Sequence, residues 1–227
     1  GFIGLEVAEQ LKERGLDVTL IEKVGQVLPP LDAEMAEPLR RELLRHGIRL
    51  ISGSGFSAIR EAAGKATGVV LENGVTVEAD LVILGLGVRP YNQLAVAAGL
   101  GVGPTGGILT DEYQRTADLD IYAVGDAAEY RLGPTGLRGR VPLAGIANRT
   151  GRLVGEHAAT GKSATAPAAW GTAIIKVFGL GAGIAGDSLK SALKRGVDAR
   201  AVHITANHHA GYYPGAKSMT LKLVYEA

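Results

Sequence analysis

Apolar residues recur at helical spacing from the start of the chain, at Ile3, Val7, Ala8 and Leu11, with Gly15 where a helix would close. No capping residue precedes them, so the chain is expected to begin inside an element. Asp17–Glu22 is a short β-branched run ending in an acid. Asp32–Arg45 reads as a helix with Leu39, Leu43 and Leu44 on one side, closed by Gly47, and Ile48–Ile51 reads as a strand. Val69–Val77 predicts a hairpin, because Asn73-Gly74 suits a type I′ turn. Leu81–Leu84 predicts a wholly buried strand. Tyr91–Ala98 is a weakly patterned helix, Thr116–Val124 a strand running into Gly125-Asp126, and Gly145–Ala159 a helix. Residues 161–169 have a linker's composition. Beyond them come strand 172–178, helix Ser188–Arg195, strand 199–205 and an alternating strand Met219–Tyr225, which stops without a turn signal, as though cut.

Glycine, helix, glycine, strand, acid is the later part of a dinucleotide-binding fingerprint, with Gly1 and Gly4 as its second and third glycines. Gly1 lets the backbone approach a pyrophosphate, Gly4 lets the helix pack closely on its strand, and the helix N-terminus offers N–H groups to the phosphates. Phe2 and Ile3 lie within this loop. Glu22, at the end of the next strand, would accept the ribose hydroxyls and repel a 2′-phosphate, although the adjacent Lys23 pulls the other way. An ordinary amphipathic helix with incidental glycines remains the competing reading. Gly181-Ala-Gly183-Ile-Ala-Gly186 matches the full glycine pattern, but the strand after it, 199–205, ends without an acid, so it is read as a chance match. Gly161-Lys162-Ser163 fails as a phosphate loop because Glu156 stands where a glycine is required.

Composition narrows the class. Hydrophobic residues make up 46% and charged residues 21%, the balance of a globular protein with a sizeable core. Apolar runs fall short of the ~18 residues of a membrane helix, and residues 1–15 lack a signal peptide's features. Net charge is +1 with no basic stripe, which argues against nucleic acid. His203, His208 and His209 lack zinc-site spacing. The chain has 33 glycines and no cysteine, so any thiol chemistry must be supplied from outside these residues.

Several segments together carry a resemblance: Gly1-Phe-Ile-Gly4-Leu-Glu6, Gly85-Leu-Gly87-Val-Arg89-Pro90, Thr116–Asp126, Pro142–Gly151 and His209-Ala-Gly-Tyr212-Tyr213-Pro-Gly-Ala216. The chain resembles the FAD-dependent pyridine nucleotide-disulfide oxidoreductases, in the coenzyme A-disulfide reductase and NADH-dependent persulfide reductase branch. The resemblance implies an α/β fold: two incomplete dinucleotide-binding, Rossmann-like three-layer domains plus part of an α+β dimerisation domain. It maps residues 1–87 to NAD(P)H binding, 88–162 to the second FAD segment and 163–227 to dimerisation. It implies FAD and NADH or NADPH as cofactors, with NADH favoured, a cytoplasmic homodimer, and a coenzyme A disulfide or persulfide as substrate, reduced through an upstream cysteine. By position, Gly85 and Gly87 belong to the nucleotide motifs. Gly125 and Asp126 are similar to the motif whose aspartate holds the ribityl chain, and Leu143 and Ala144 to the stretch facing the flavin. Asn148 and Arg149 are similar to residues beside coenzyme A; as helix residues they read equally well as plain surface. Glu6 is similar to a glutamate near the flavin, or is a first-turn acid favoured by the helix dipole. Tyr212 and Tyr213 would reach the cysteine of the partner subunit, where a phenol can protonate a departing thiolate; packing at an interface is the other reading. Two rivals remain: an NADH oxidase or peroxidase of the same superfamily, which the tyrosine pair argues against, and a fragment that is catalytically silent as it stands.

Overall fold

The computed structural model describes residues 1–133 and 135–227. In chain order the elements are α1 (Phe2–Glu13), β1 (Thr19–Glu22), α2 (Ala33–Arg45), β2 (Arg49–Ser52), β3 (Phe56–Ala62), β4 (Lys65–Leu71), β5 (Thr76–Glu78), α3 (Gln93–Ala97), β6 (Tyr130–Arg131), β7 (Arg138–Gly139), α4 (Ala144–Thr160), β8 (Ala173–Val177), β9 (Leu180–Ile184), α5 (Leu189–Lys194), β10 (Ala199–Asn207) and β11 (Ser218–Glu226). They form two compact units. One holds Gly1–Leu86, Ile174–Gly183 and Ser188–Ala227; the other holds Gly87–Ala173 and Ile184–Asp187. Among the described residues no helix is long and apolar enough to cross a membrane.

In the first unit β1 and β2 pair in parallel, Thr19 opposite Arg49, with α2 as the connection between them. Helix α2 buries Ala36, Leu39 and Leu43, whereas Leu44, read from the sequence as part of the same face, is 43% exposed. The β3-β4-β5 sheet is antiparallel. Strand β3 escaped the pattern because most of Phe56–Ala62 faces solvent, leaving no apolar alternation to find. The β4–β5 turn is not type I′, which needs left-handed backbone at both central residues. Only Gly74 adopts it (φ +83°), and Asn73 instead accepts the Val75 N–H through Oδ1 at 3.1 Å. A second correction concerns Leu81–Leu84, which forms no strand: Leu81, Ile83 and Leu84 are exposed, while Val82 packs beside Val69, Leu71 and Val77. Apolarity makes a strand only when a neighbour takes its N–H and C=O groups, and none of the described strands does so here.

The later stretches of this unit are held by carboxylates from α1 and α2. Buried Glu9 accepts the Phe178 N–H at 2.7 Å and Glu42 the Gly179 N–H at 3.3 Å, so both residues of the β8–β9 turn are gripped. His46 stacks flat on Phe178, ring centroids 3.8 Å apart, which supports that side chain at an uncommon φ of +50°. Asp32 stands at the N-cap of α2, yet its side chain makes no bond to that helix. It caps α5 instead, accepting the N–H groups of Leu189 (2.9 Å) and Lys190 (3.0 Å). Lys222, 7% exposed in its side chain, pairs with Asp32 at 2.8 Å and with Glu34, which also contacts His203 at 3.2 Å. Burial disfavours the Asp32 charge, but the bonds from Lys222, Lys190 and Leu189 together outweigh it and hold the carboxyl below its ordinary range. Lys222 likewise lowers Glu34.

The second unit packs Ala123, Ala128, Tyr130, Leu132, Val141 and Ala169 into one core. Thr116–Val124 is not a strand. Thr116 Oγ1 bonds the Asp118 carbonyl and the Thr116 N–H bonds the Ile121 carbonyl, closing a tight loop on itself. The end of the expected linker is pinned: Ala169 is buried and exchanges backbone bonds with Arg131 and Gly133. Glu129 is fully buried, and one of its oxygens accepts both the N–H and the hydroxyl of Thr105.

Asp32→Ala is expected to cost about 2 kcal/mol in urea unfolding at neutral pH, since it uncaps α5 and removes one partner of a buried ammonium. Because the folded pKa of Asp32 is lowered, its contribution is complete above about pH 4–5 and is lost as pH falls through the folded value. Asp32→Ala should therefore lose stability less steeply than the wild type between about pH 5 and pH 3. Equal slopes would show that the Asp32 carboxyl is not held below its ordinary range.

Candidate nucleotide-binding site

Helix α1 starts without a side-chain cap or an acid in its first turn, so its leading N–H groups are available to an anion. Glu22, at the end of β1, lies beside this terminus, with Oε2 3.5 Å from the Gly1 nitrogen and Oε1 accepting the Val24 N–H at 3.3 Å. A Cβ on Gly1 would meet nothing within 4 Å, so the space above it is open. Uncapped amides, open space and a carboxylate beside them fit a dinucleotide. Gly4 is a different case. A Cβ there would stand 3.8 Å from Leu20 Cδ1, an ordinary contact, so packing on the strand does not by itself demand glycine. Gly85 is the same case, its own Cβ position lying 3.6 Å from the Gly4 nitrogen, again an ordinary contact. Phe2 is half-buried and Ile3 exposed in the same turn. Lys23 does not turn toward Glu22; its ammonium bonds Glu72 Oε1 at 2.8 Å.

The second unit carries its own half-site. Gly125 takes a left-handed φ of +72° and starts a 3₁₀ turn, Gly125–Ala127, which leaves the Asp126 carboxylate exposed. The turn is fixed from below by buried Tyr130, whose hydroxyl donates to the Gly125 carbonyl at 3.0 Å and lies 3.4 Å from Thr150 Oγ1 on α4. Burial pushes the Tyr130 phenol up, keeping it a neutral donor. A Cβ on Gly125 would lie 3.7 Å from Ala147, so the turn sits against the first residues of α4. That helix starts at Leu143 and Ala144 with no side-chain cap and no acid in its first turn. An exposed carboxylate beside an uncapped helix terminus suits a polyol joined to an electron-rich ring, so these residues fit a flavin. Asn148 and Arg149 are exposed on α4, and Gly87 begins this unit at a left-handed φ of +85°.

Glu6 is exposed on α1, whereas Glu9, one turn on, is the buried carboxylate of that helix. Tyr212 and Tyr213 project from the loop between β10 and β11, 85% and 62% exposed, with ring centroids 5.0 Å apart. His208 and Lys217 close the neck of that loop through two bonds of 3.0 Å. Gly181 and Gly183 lie within strand β9, not at a strand-to-helix turn. No group of three metal-ligating side chains occurs among the described residues. Glu9, Glu72 and Lys222 went unseen in the sequence, since nothing local marks a side chain whose partner is 49 to 188 positions away; Tyr130, whose partners lie only 5 and 20 positions away, carries no motif that singles out its hydroxyl.

Comparison with known proteins places the chain among relatives. The pyridine nucleotide-disulphide oxidoreductase family profile matches residues 1–151. The chain is 36% identical over its whole length to an NAD(P)H sulfur oxidoreductase (CoA-dependent) from Pyrococcus furiosus, covering 50% of that protein. It is 32% identical to an NADH oxidase from Enterococcus faecalis, again covering 50%. Among solved structures it superposes with a TM-score of 0.95 and 39% identity on an NAD-dependent persulfide reductase from A. fulgidus, covering 100% of this chain and 42% of that one. The chain thus spans about half the length of the curated relatives it matches.

Tyr130→Phe leaves the Gly125 carbonyl without its donor. It should cost about 1–2 kcal/mol in urea unfolding and weaken flavin retention by the full-length protein, read by absorbance after gel filtration. Unchanged retention would show that Tyr130 does not support the Asp126 turn.

Proposed function

This chain belongs to the pyridine nucleotide-disulphide oxidoreductase family, and on that premise we propose that it forms part of a cytoplasmic flavoenzyme passing electrons from NAD(P)H through FAD to a coenzyme A disulfide or persulfide. The observation that carries this reading is the pairing of each uncapped helix terminus with its own carboxylate: Glu22 at α1, and Asp126 against α4. When bound, FAD supplies the relay between a two-electron hydride donor and a thiol. The protein's own part is to bind and orient. The α1 amides take the pyrophosphate, Glu22 takes the ribose hydroxyls and disfavours a 2′-phosphate, and Asp126 holds the flavin's polyol while the start of α4 faces its ring. Residues 1–87 would serve NAD(P)H, 88–162 the flavin and 163–227 dimerisation. A homodimer is supported by the exposed apolar face of the β10–β11 hairpin, formed by Val202, Ile204, Leu221 and Leu223. Within that dimer Tyr212 and Tyr213 would donate protons to the departing thiolate, Asn148 and Arg149 would border coenzyme A, and Glu6 would lie near the flavin. The redox cysteine comes from outside these 227 residues, which contain none.

An oxidase is the second reading, favoured by the likeness to the Enterococcus NADH oxidase. The full-length protein should consume NADH with coenzyme A disulfide or persulfide, and Tyr212→Phe with Tyr213→Phe should lower that turnover about 10²-fold. Rapid oxygen uptake without turnover of either coenzyme A substrate would establish the oxidase instead. The 227 residues alone should show no disulfide reductase activity with added FAD, and an active yellow preparation would contradict the assignment of the thiol.

A further inference from the structure

Lys23 follows the ribose carboxylate directly in sequence and could serve a 2′-phosphate, yet it is engaged elsewhere. Its ammonium bonds Glu72 Oε1 at 2.8 Å, from the turn between β4 and β5. Glu72 is not an incidental surface partner. Its N–H donates to the Gly55 carbonyl at 2.8 Å and its Oε2 accepts the Gly55 N–H at 3.3 Å, so backbone and side chain clasp the same residue. A Cβ on Gly55 would stand 2.9 Å from Glu72 Oε1, so glycine there makes the clasp possible. The carboxylate thus has a second anchor, at Gly55, besides Lys23. Lys23 and Glu72 each stabilise the other's charge, raising the lysine and lowering the glutamate.

We infer that Glu72 is a cofactor-selecting residue, which by occupying Lys23 withholds its positive charge from a nucleotide 2′-phosphate and so reinforces the preference for NADH over NADPH. The inference rests on the reading of Glu22 as the ribose ligand and deepens it. Glu22 repels the phosphate directly, and Glu72 neutralises the cation that would otherwise offset that repulsion. To use Lys23, a 2′-phosphate must displace it from Glu72 while a second carboxylate stays nearby. For a solvent-exposed pair such competition amounts to about 3–10-fold in affinity.

The test is calorimetric binding of 5′-AMP and adenosine 2′,5′-bisphosphate to the flavin-loaded full-length protein, with no turnover involved. The wild type is expected to prefer 5′-AMP. Glu72→Gln should shift the affinity ratio toward the bisphosphate by about 3–10-fold, and by less than about 2-fold when combined with Lys23→Gln. Lys23→Gln alone leaves the Gly55 clasp intact and should weaken the bisphosphate by less than about 2-fold. This variant keeps the test decisive even if Glu72→Gln fails to fold. A tenfold loss in Lys23→Gln would show that Lys23 already serves the phosphate and would overturn the inference. So would an unchanged ratio in Glu72→Gln, or an equal shift with and without Lys23. A wild type that prefers the bisphosphate overturns the Glu22 reading and this inference with it; a preference for 5′-AMP without a Glu72→Gln shift overturns this inference alone.

Discussion

Backbone N–H groups at a turn or at the start of a short helix cannot be left dry and unpaired, and this chain meets that requirement in its first unit with carboxylates carried by α1 and α2. Glu9 and Glu42 take the two N–H groups of the β8–β9 turn, and Asp32 takes the first two of α5. Lys222 then neutralises Asp32 and Glu34 from the β10–β11 hairpin. The apolar residues Ile175 and Val177 are buried in β8, but burial has no direction. The charge-assisted bonds supply it, fixing which turn meets which helix.

Helix α1 also presents the candidate nucleotide site. Helix α1 presents its N-terminus beside Glu22, and its buried side holds the hairpin through Glu9. Glu6 and Glu9, one turn apart, fall on exposed and buried faces, which is why one is a candidate for chemistry and the other a structural clamp. Just past the end of β1, Lys23 pairs with Glu72, a residue from another sheet, next in sequence to Glu22. Relatives described as sulfur oxidoreductases and as NADH oxidases match this chain over its whole length. The proposed shared part is nucleotide handling, and the proposed distinction between them lies in the thiol and the tyrosine loop.

Much of this was legible in advance where the signal is local. Helical spacing located α1, α2 and α4 to within a residue or two, and alternation located β11. Gly1, Gly4 and Glu22 were picked out by spacing, and the structure brings Gly1 and Glu22 to 3.5 Å. Local signals also misled. Leu81–Leu84 has the composition of a buried strand but no ladder, and Asn73-Gly74 has the composition of a type I′ turn but the backbone of another. Asp32 sits where an N-cap belongs and spends its carboxylate on a helix more than 150 positions away.

By itself, then, the chain's order of residues determined which segments are helical, where glycine leaves the backbone uncovered, and that no thiol resides in these 227 positions. Those properties follow from periodicity, backbone freedom and composition, each readable within a few residues. Tertiary structure decided the partners: Asp32 with α5 and Lys222, Glu9 with the β8–β9 turn, and Glu72 with Lys23. A hydrogen bond or an ion pair needs two groups within about 3 Å, and only the folded chain brings residues so distant in sequence to that separation.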